Sequence, residues 1–451
     1  MSTLQPNATT ETEEVPIDGA ELEDDIALPK TKRDKGAMWR ALRHRNYRLF
    51  VGGQIVSLVG SWMTQLAMSW LVYRLTKSPL LLGLTGFAGQ IPTFVIAPFA
   101  GVWLDQQNRH RVLVCTQALA MIQSLTLAAL AISGTIQIWH IIALALFQGF
   151  VNAFDMPARQ AFVIEMVEDR ADLNNAIALN SSMVNMARLV GPALAGVIIA
   201  RSNEGYCFLV DGLSYIAVIA SLLMMRIKPR EIKPRTETAL QSLRGGLSYI
   251  NDYKPIRAIL LILAFISLTG MSYMTMLPVI IDEVLHGNSS TQGTLMMGSG
   301  VGALAGALYL ASKKNVVGLG GTLVRAPAML GLGIFALSLS HSVWLSFIIL
   351  MVTGCGTIGQ ITASNTLVQT LVDEDKRSRV MSFYTVAFLG MSPFGSLLAG
   401  ALAHRFGVQA TLQFASVCCL LASLWFSTQL PALRQQARPR LEKLGILPAK
   451  S

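Results

Sequence analysis

The chain has 451 residues, of which 52% are hydrophobic and only 14% charged, with a mean hydropathy of +0.50. That balance excludes a soluble globular domain and describes a polytopic membrane protein. A net charge of +10 would suit a nucleic-acid binder, but no basic patch interleaved with aromatics is present, so no nucleic-acid partner is expected.

Residues 1–37 start acidic and turn basic from Lys30 onward. Few apolar residues and no apolar core after a basic start predict a disordered tail, not a signal peptide. Trp39, Leu42, Tyr47 and Phe50 alternate with Arg40, Arg43, Arg45 and Arg48 as a basic juxtamembrane helix would. Twelve apolar windows follow, starting near Leu49, Leu80, Val112, Ile138, Ala176, Tyr206, Ile256, Gly293, Leu319, Val343, Val380 and Thr411. Each is long enough to cross roughly 30 Å of hydrocarbon as a helix.

Six windows fill a first bundle at 38–227 and six a second at 256–431. Between them, the linker 228–255 carries KPREIKPR and then Leu240, Leu243, Leu247 and Ile250 at helical spacing, which predicts an interfacial helix. A basic tail, 432–451, ends the chain. An even number of spans puts both termini on one side. That side holds 30 of the 36 Lys and Arg residues, while Arg188 and Arg325 lie inside spans. The positive-inside rule then makes both termini cytoplasmic, with the protein expected in the cell's inner (plasma) membrane.

The halves repeat weakly at an offset of about 205 residues. Gly101 matches Gly306, Gly149 matches Gly354 and Ala158 matches Ala363; after a one-residue slip, Gly191 matches Gly395 and Gly196 matches Gly400. Two parallel six-helix repeats related by an axis along the membrane normal describe a transporter that exposes a solute alternately to each face. The expected fold is therefore all-α, with twelve transmembrane helices in two six-helix bundles.

Charged and polar groups inside spans mark the working parts. Between spans two and three stand Gly101, Asp105, Asn108, Arg109 and Arg111, where a small residue permits close helix approach and the charges can lock a gate. Span four carries Gln148 and Asn152 and ends in Asp155, Pro157 and Arg159, with Asp155 roughly 25 Å along it. That depth favours gating, with Asp155 expected to pair with Arg109 or Arg111 when the protein faces outward; a titrating proton carrier is the alternative. Span five carries Asn180, Asn185 and Arg188 before Gly191, Pro192 and Gly196, which are expected to bend the helix and let others approach. Arg188 at mid-membrane must meet a substrate or counter-ion, or pair with Asp211 or backbone. In span ten, Thr353, Thr357, Gln360, Thr362 and Asn365 form a second polar stripe. Tyr273, Met274, Met276, Tyr384 and Phe388 are candidate apolar walls of the same cavity.

Cys115, Cys207, Cys355, Cys418 and Cys419 lie in spans without CxxC spacing, so no metal site or disulfide framework is expected. Glycines from Gly298 to Gly306 lie inside a span and suit helix packing, not a dinucleotide loop. Nothing resembles a nucleophile triad or phosphate loop. No catalytic residue, cofactor or enzyme activity is expected.

The loop from Gly101 to Arg111 resembles the signature loop of the major facilitator superfamily, with Asn108 where that family usually has a second glycine and Gln106 where it has a basic residue. In the second half, Gly306, Lys313 and Lys314 remain, but Leu310 replaces the acid. Span five resembles the superfamily's antiporter motif, with Ala178 and Ala187 replacing two glycines. NAFDMPARQAF, the following ALNS and ARLVGPALAG together resemble the subfamily of enterobactin exporters, macrolide efflux proteins and transmembrane secretion effectors, over roughly residues 38 to 431. The resemblance implies proton-driven export of small amphipathic molecules, siderophore or drug-like, by a protein working as a monomer among membrane lipids. Ala145 stands where many drug/proton antiporters carry an arginine, so their proton scheme does not transfer; Asp155, Asp211, Asp282 and Glu283 become the coupling candidates. A lipid or lysophospholipid flippase on the same fold, or a solute sensor without flux, are the alternative readings.

Overall fold

The computed structural model describes residues 37–104, 106–167, 169, 172–227, 239–312 and 318–443. The acidic segment of the N-terminal tail, Asp105 and the far C-terminal residues fall outside them. The first bundle comprises α1 (Arg45–Thr76), α2 (Pro79–Leu104), α3 (Arg109–Ile132), α4 (Ile138–Met166), α5 (Leu173–Arg201) and α6 (Glu204–Leu223). Linker helix α7 (Ala239–Asp252) leads into the second. Its seventh span breaks into α8 (Lys254–Thr269) and α9 (Tyr273–Glu283), followed by α10 (Ser289–Ser312), α11 (Leu319–Leu339) and α12 (Val343–Leu371). The eleventh comprises α13 (Arg377–Thr385), a π-helical turn at Val386–Gly390 and α14 (Ser392–Phe406); α15 (Val408–Lys443) is the twelfth.

All twelve expected spans are present in order. Their outer surfaces remain apolar, as at Trp344, Leu308 and Leu223, because hydrocarbon and not water is their solvent. The last helix continues through Pro431, where the sequence placed its end. Arg440 holds the extension by pairing with Asp373 at 2.7 Å and donating to the Val372 carbonyl.

The repeat is visible in matched contacts. A Cβ at Gly149 would meet the Gly89 carbonyl at 2.5 Å, and one at its partner Gly354 would collide with the Ser299 carbonyl. Gly191 faces Val59 and Trp62 across α5 and α1, as Gly395 faces Leu268 across α14 and α8. Among the described residues, the two non-glycines at positive φ, Lys77 and His286, close the first and seventh spans. Sequence identity between halves is thin because only positions where backbones touch demand a particular residue.

The bundles meet through α5 on α10 and α2 on α14. Gly196 opposes Gly293 in one crossing and Gly83 opposes Gly400 in the other, with a Cβ at Gly83 only 2.5 Å from the Ser396 carbonyl. Both crossings lie toward the face opposite the chain ends, here called the far face. Polar ties reinforce it: Lys77 pairs with Asp282 at 2.7 Å, the Tyr73 hydroxyl donates to Glu283 at 2.7 Å, and Gln292 donates to Ser69 at 2.9 Å. At the near face, which carries the chain ends, each bundle is braced separately. Asp172 takes His44 at 3.1 Å and Arg40 at 3.4 Å in the first. In the second, the Tyr249 hydroxyl of α7 donates to Asp373 at 3.1 Å, tying the linker helix to the second bundle. Burial pushes that hydroxyl above its ordinary value, so it stays protonated and able to donate at neutral pH.

Candidate functional site

Between the bundles lies a cavity of about 550 Å³, a volume suited to a small organic molecule. It runs from Val72 and Leu82 near the far face to Asp155 and Arg159 toward the near face. The cavity is partly open, and Arg159 at its near-face end is 25% exposed.

Six expected site residues converge on its wall: Gln148, Asn152, Asp155, Arg159, Arg188 and Asp211. Asp155, 4% exposed, accepts from Thr116 at 2.8 Å and Gln117 at 2.7 Å through Oδ1. Its Oδ2 is ion-paired with Arg159, one turn along the same helix. In this conformation Asp155 is thus not bonded to Arg109 or Arg111, the pairing expected for the opposite state. Arg109 pairs with Glu165 at 2.8 Å, while the Arg111 amide donates to Asn108. That bond explains the asparagine that replaces the superfamily's glycine: Asn108 is the N-cap of α3.

Asp211 is equally buried, at 3% exposed, but its neighbours are neutral. Oδ2 accepts from Thr64 at 3.0 Å and Ser124 at 3.1 Å, and Oδ1 from Ser61 at 3.5 Å. Arg188 does not reach it, which corrects the expected structural pair. The Arg188 guanidinium lies over the Trp62 ring at 5.0 Å, and its buried Nε has no hydrogen-bond partner.

Other expected residues lie elsewhere. Gln360 is fully buried away from the cavity wall, with both amide atoms unpartnered. Asn365 accepts from Gln369, and Asn185 donates to the Ser181 carbonyl; neither they nor Asn180 line the cavity. From the second bundle, Thr357, Tyr273, Met274 and Phe388 do line it, whereas Met276 and Tyr384 pack in the core. Gly101 has no atom within 4 Å of a built Cβ, so it makes no close helix contact in this conformation. Helix α5 runs unbroken through Pro192, and Gly191 and Gly196 serve as contact points with α1 and α10. Sequence reasoning missed Thr116, Gln117 and Gln292. Their signal was faint: each is a neutral amide or hydroxyl whose partner lies on another span.

Among the described residues, no cluster of three or more His, Cys, Asp or Glu side chains is placed to hold a metal ion. The cavity offers charge and hydrogen bonds to a solute.

Comparison with known proteins agrees with this geometry. The chain is 25% identical over 380 residues to the staphyloferrin A transporter of Staphylococcus aureus, covering 84% of this chain and 95% of the relative. It is 26% identical to the multidrug efflux pump Tap of Mycolicibacterium fortuitum, over 83% and 93% of the two chains, and 22% identical to macrolide efflux protein A of Streptococcus pyogenes, over 79% and 89%. Among solved structures, the nucleoside transporter NupG superposes with a TM-score of 0.67 at 12% identity, covering 87% of this chain and 99% of that one. A bacterial homologue of the human lysosomal transporter Spinster gives 0.62 at 14%, over 88% and 98%. These likenesses establish the fold, and the relatives are transporters, not enzymes. Residues 36–444 match the family model described as transmembrane secretion effector, and the chain belongs to that family of the major facilitator superfamily.

Proposed function

We propose that this multi-pass transporter exports small amphipathic molecules, siderophore or drug-like, across the inner membrane by alternating access driven by the proton gradient. One observation carries the reading: the cavity between the bundles is shut at the far face by two glycine crossings and polar ties, yet is partly open, with Arg159 25% exposed toward the near face. The excess of Lys and Arg on the near face assigns it to the cytoplasm. The conformation is then the loading state of an exporter. Relatives named for a siderophore, macrolides and multiple drugs support a solute of that kind.

The two buried acids divide the work. Asp155, neutralised by Arg159, acts with Gly101, Asp105, Arg109 and Arg111 in closing the cytoplasmic side. Asp211, held by hydroxyls alone, carries the exchanged proton. The solute contacts Gln148, Asn152 and Arg188, and the monomer suffices.

Everted membrane vesicles carrying the protein test this. A proton gradient should drive accumulation of siderophores, macrolides or dyes, collapse of the gradient should stop it, and Asp211→Asn should uncouple it. Redistribution of labelled lipid with no movement of any solute would replace export by the flippase reading.

A further inference from the structure

We propose that Arg188 is a docking group for an oxyanion, so that the cavity takes amphipathic molecules with an acid group on an apolar body. The inference rests on the exporter reading and specifies its substrate class.

The argument begins with a census of charge. Around the cavity and its rims, Asp155 is held by Arg159, Glu204 by Arg74, Asp282 by Lys77, Glu283 by Tyr73 and Glu165 by Arg109. Asp211 takes the Thr64 hydroxyl and lies beside those of Ser61 and Ser124, which it shares with backbone carbonyls. Among the described residues no carboxylate lies within ion-pair distance of Arg188, although it stands halfway along α5, where an uncompensated guanidinium is costly. It lies over the Trp62 face and near Tyr273. Among the described residues no acceptor takes its terminal N–H groups, which can meet the two oxygens of an acid.

Geometry keeps this site apart from the proton site. At about 100° per residue, Ser61 and Thr64 project from one side of α1 toward Asp211, and Trp62 projects from nearly the opposite side toward Arg188. An anion on Arg188 therefore need not meet the Asp211 carboxylate. Met271, Met274 and Met296 from the second bundle supply adaptable apolar surface. Gln292 lines the same cavity and donates through Nε2 to Ser69. The result is a cationic group beside methionine walls: a frame for a molecule acidic at one end and apolar along its body.

The test uses full-length protein in nanodiscs and energy transfer from tryptophan to dansyl. N-dansyl-phenylalanine should bind at least ~10-fold more tightly than its neutral amide, the ratio expected for one charge-assisted contact. Arg188→Gln should abolish that preference and Arg188→Lys should retain part of it. A labelled lysophosphatidylglycerol separates the sources of the oxyanion: Arg188-dependent binding of the lipid alone assigns the site to a headgroup. Equal binding of acid and amide to the wild type, a preference surviving in Arg188→Gln, or no binding of either acid would overturn the proposal. The wild-type acid and amide comparison stands even where a variant fails to fold. Vesicle transport is read separately: acid-selective binding without flux would sink the exporter reading and leave docking intact, while flux without acid preference would do the reverse.

Discussion

The two bundles share a backbone plan and differ in what they place on it. At the offset of the repeat, Asp155 and Arg159 on α4 correspond to Gln360 and Ser364 on α12; beyond the one-residue slip, Asp211 on α6 corresponds to Ala415 on α15, next to the buried Ser416. The first bundle pairs Asp155 with Arg159 and sets Asp211 among hydroxyls. The second leaves the Gln360 amide unpartnered, while Ser364 donates to the Gln360 carbonyl and Ser416 to the Gly331 carbonyl. Helix contacts made through glycine repeat between the halves because backbones touch there and leave no room for a Cβ. Charge is concentrated in one half because a buried charge needs several dedicated partners, and each must be positioned. One bundle thus carries the electrostatics and the other mainly the wall.

The largest expected effect comes from imposing the first bundle's chemistry on the second. Ser416→Asp would bury a carboxylate against a backbone carbonyl at a fully buried site, costing about 3 kcal/mol or more. Thermal unfolding of the purified protein should show a steep loss, and a wild-type midpoint would mean that α15 hides a donor. Next is Asp155→Leu, which strands Arg159; with that guanidinium a quarter exposed, screening reduces the penalty to about 2 kcal/mol. Gln360→Leu should have the opposite sign, neutral or stabilising by about 1 kcal/mol, since it removes two unpartnered buried atoms. If both leucine variants lose stability alike, the contrast between α4 and α12 is not one of satisfied against unsatisfied groups.

The twelve spans were readable because hydrocarbon leaves helices as the only option and dictates their length. Gly149, Gly191 and Gly196 were readable as a repeat for the same reason that they touch backbone: no larger residue fits. The direction in which Gln360 points was not. In a helix apolar on most sides, a polar stripe carries no period that separates cavity from core, and Thr357 and Gln360 differ only in which neighbouring helix they meet. Trp62 over Arg188 was hidden too, because the two meet only once α1 and α5 are packed. Pairing of Asp155 could not be read from one sequence in any case, since it depends on which face is closed. The run through Pro431 escaped for a local reason: a proline usually ends a helix, and burial of Leu433 and Ala437 with the ties of Arg440 to Asp373 and Val372 holds this one together.

The smallest effects belong to the glycines of the two corresponding loops, and they separate static packing from motion. A Cβ at Gly306 would approach Ile358 Cγ2 at 2.7 Å and the Cys355 carbonyl at 3.1 Å. Gly306→Ala should therefore cost about 1 kcal/mol net, the overlap outweighing the gain in helix propensity. A Cβ at Gly101 meets nothing within 4 Å, so Gly101→Ala should leave the unfolding midpoint unchanged or raise it slightly, by less than about 1 kcal/mol. Its transport rate should nevertheless fall severalfold, because closing the cytoplasmic side brings the ends of α2 and the second bundle together where the added methyl now stands. Unchanged transport in Gly101→Ala would mean that the loop closes without close backbone approach at that residue. A fall in both stability and transport would place the contact in the loading state as well, contrary to the open surroundings of Gly101.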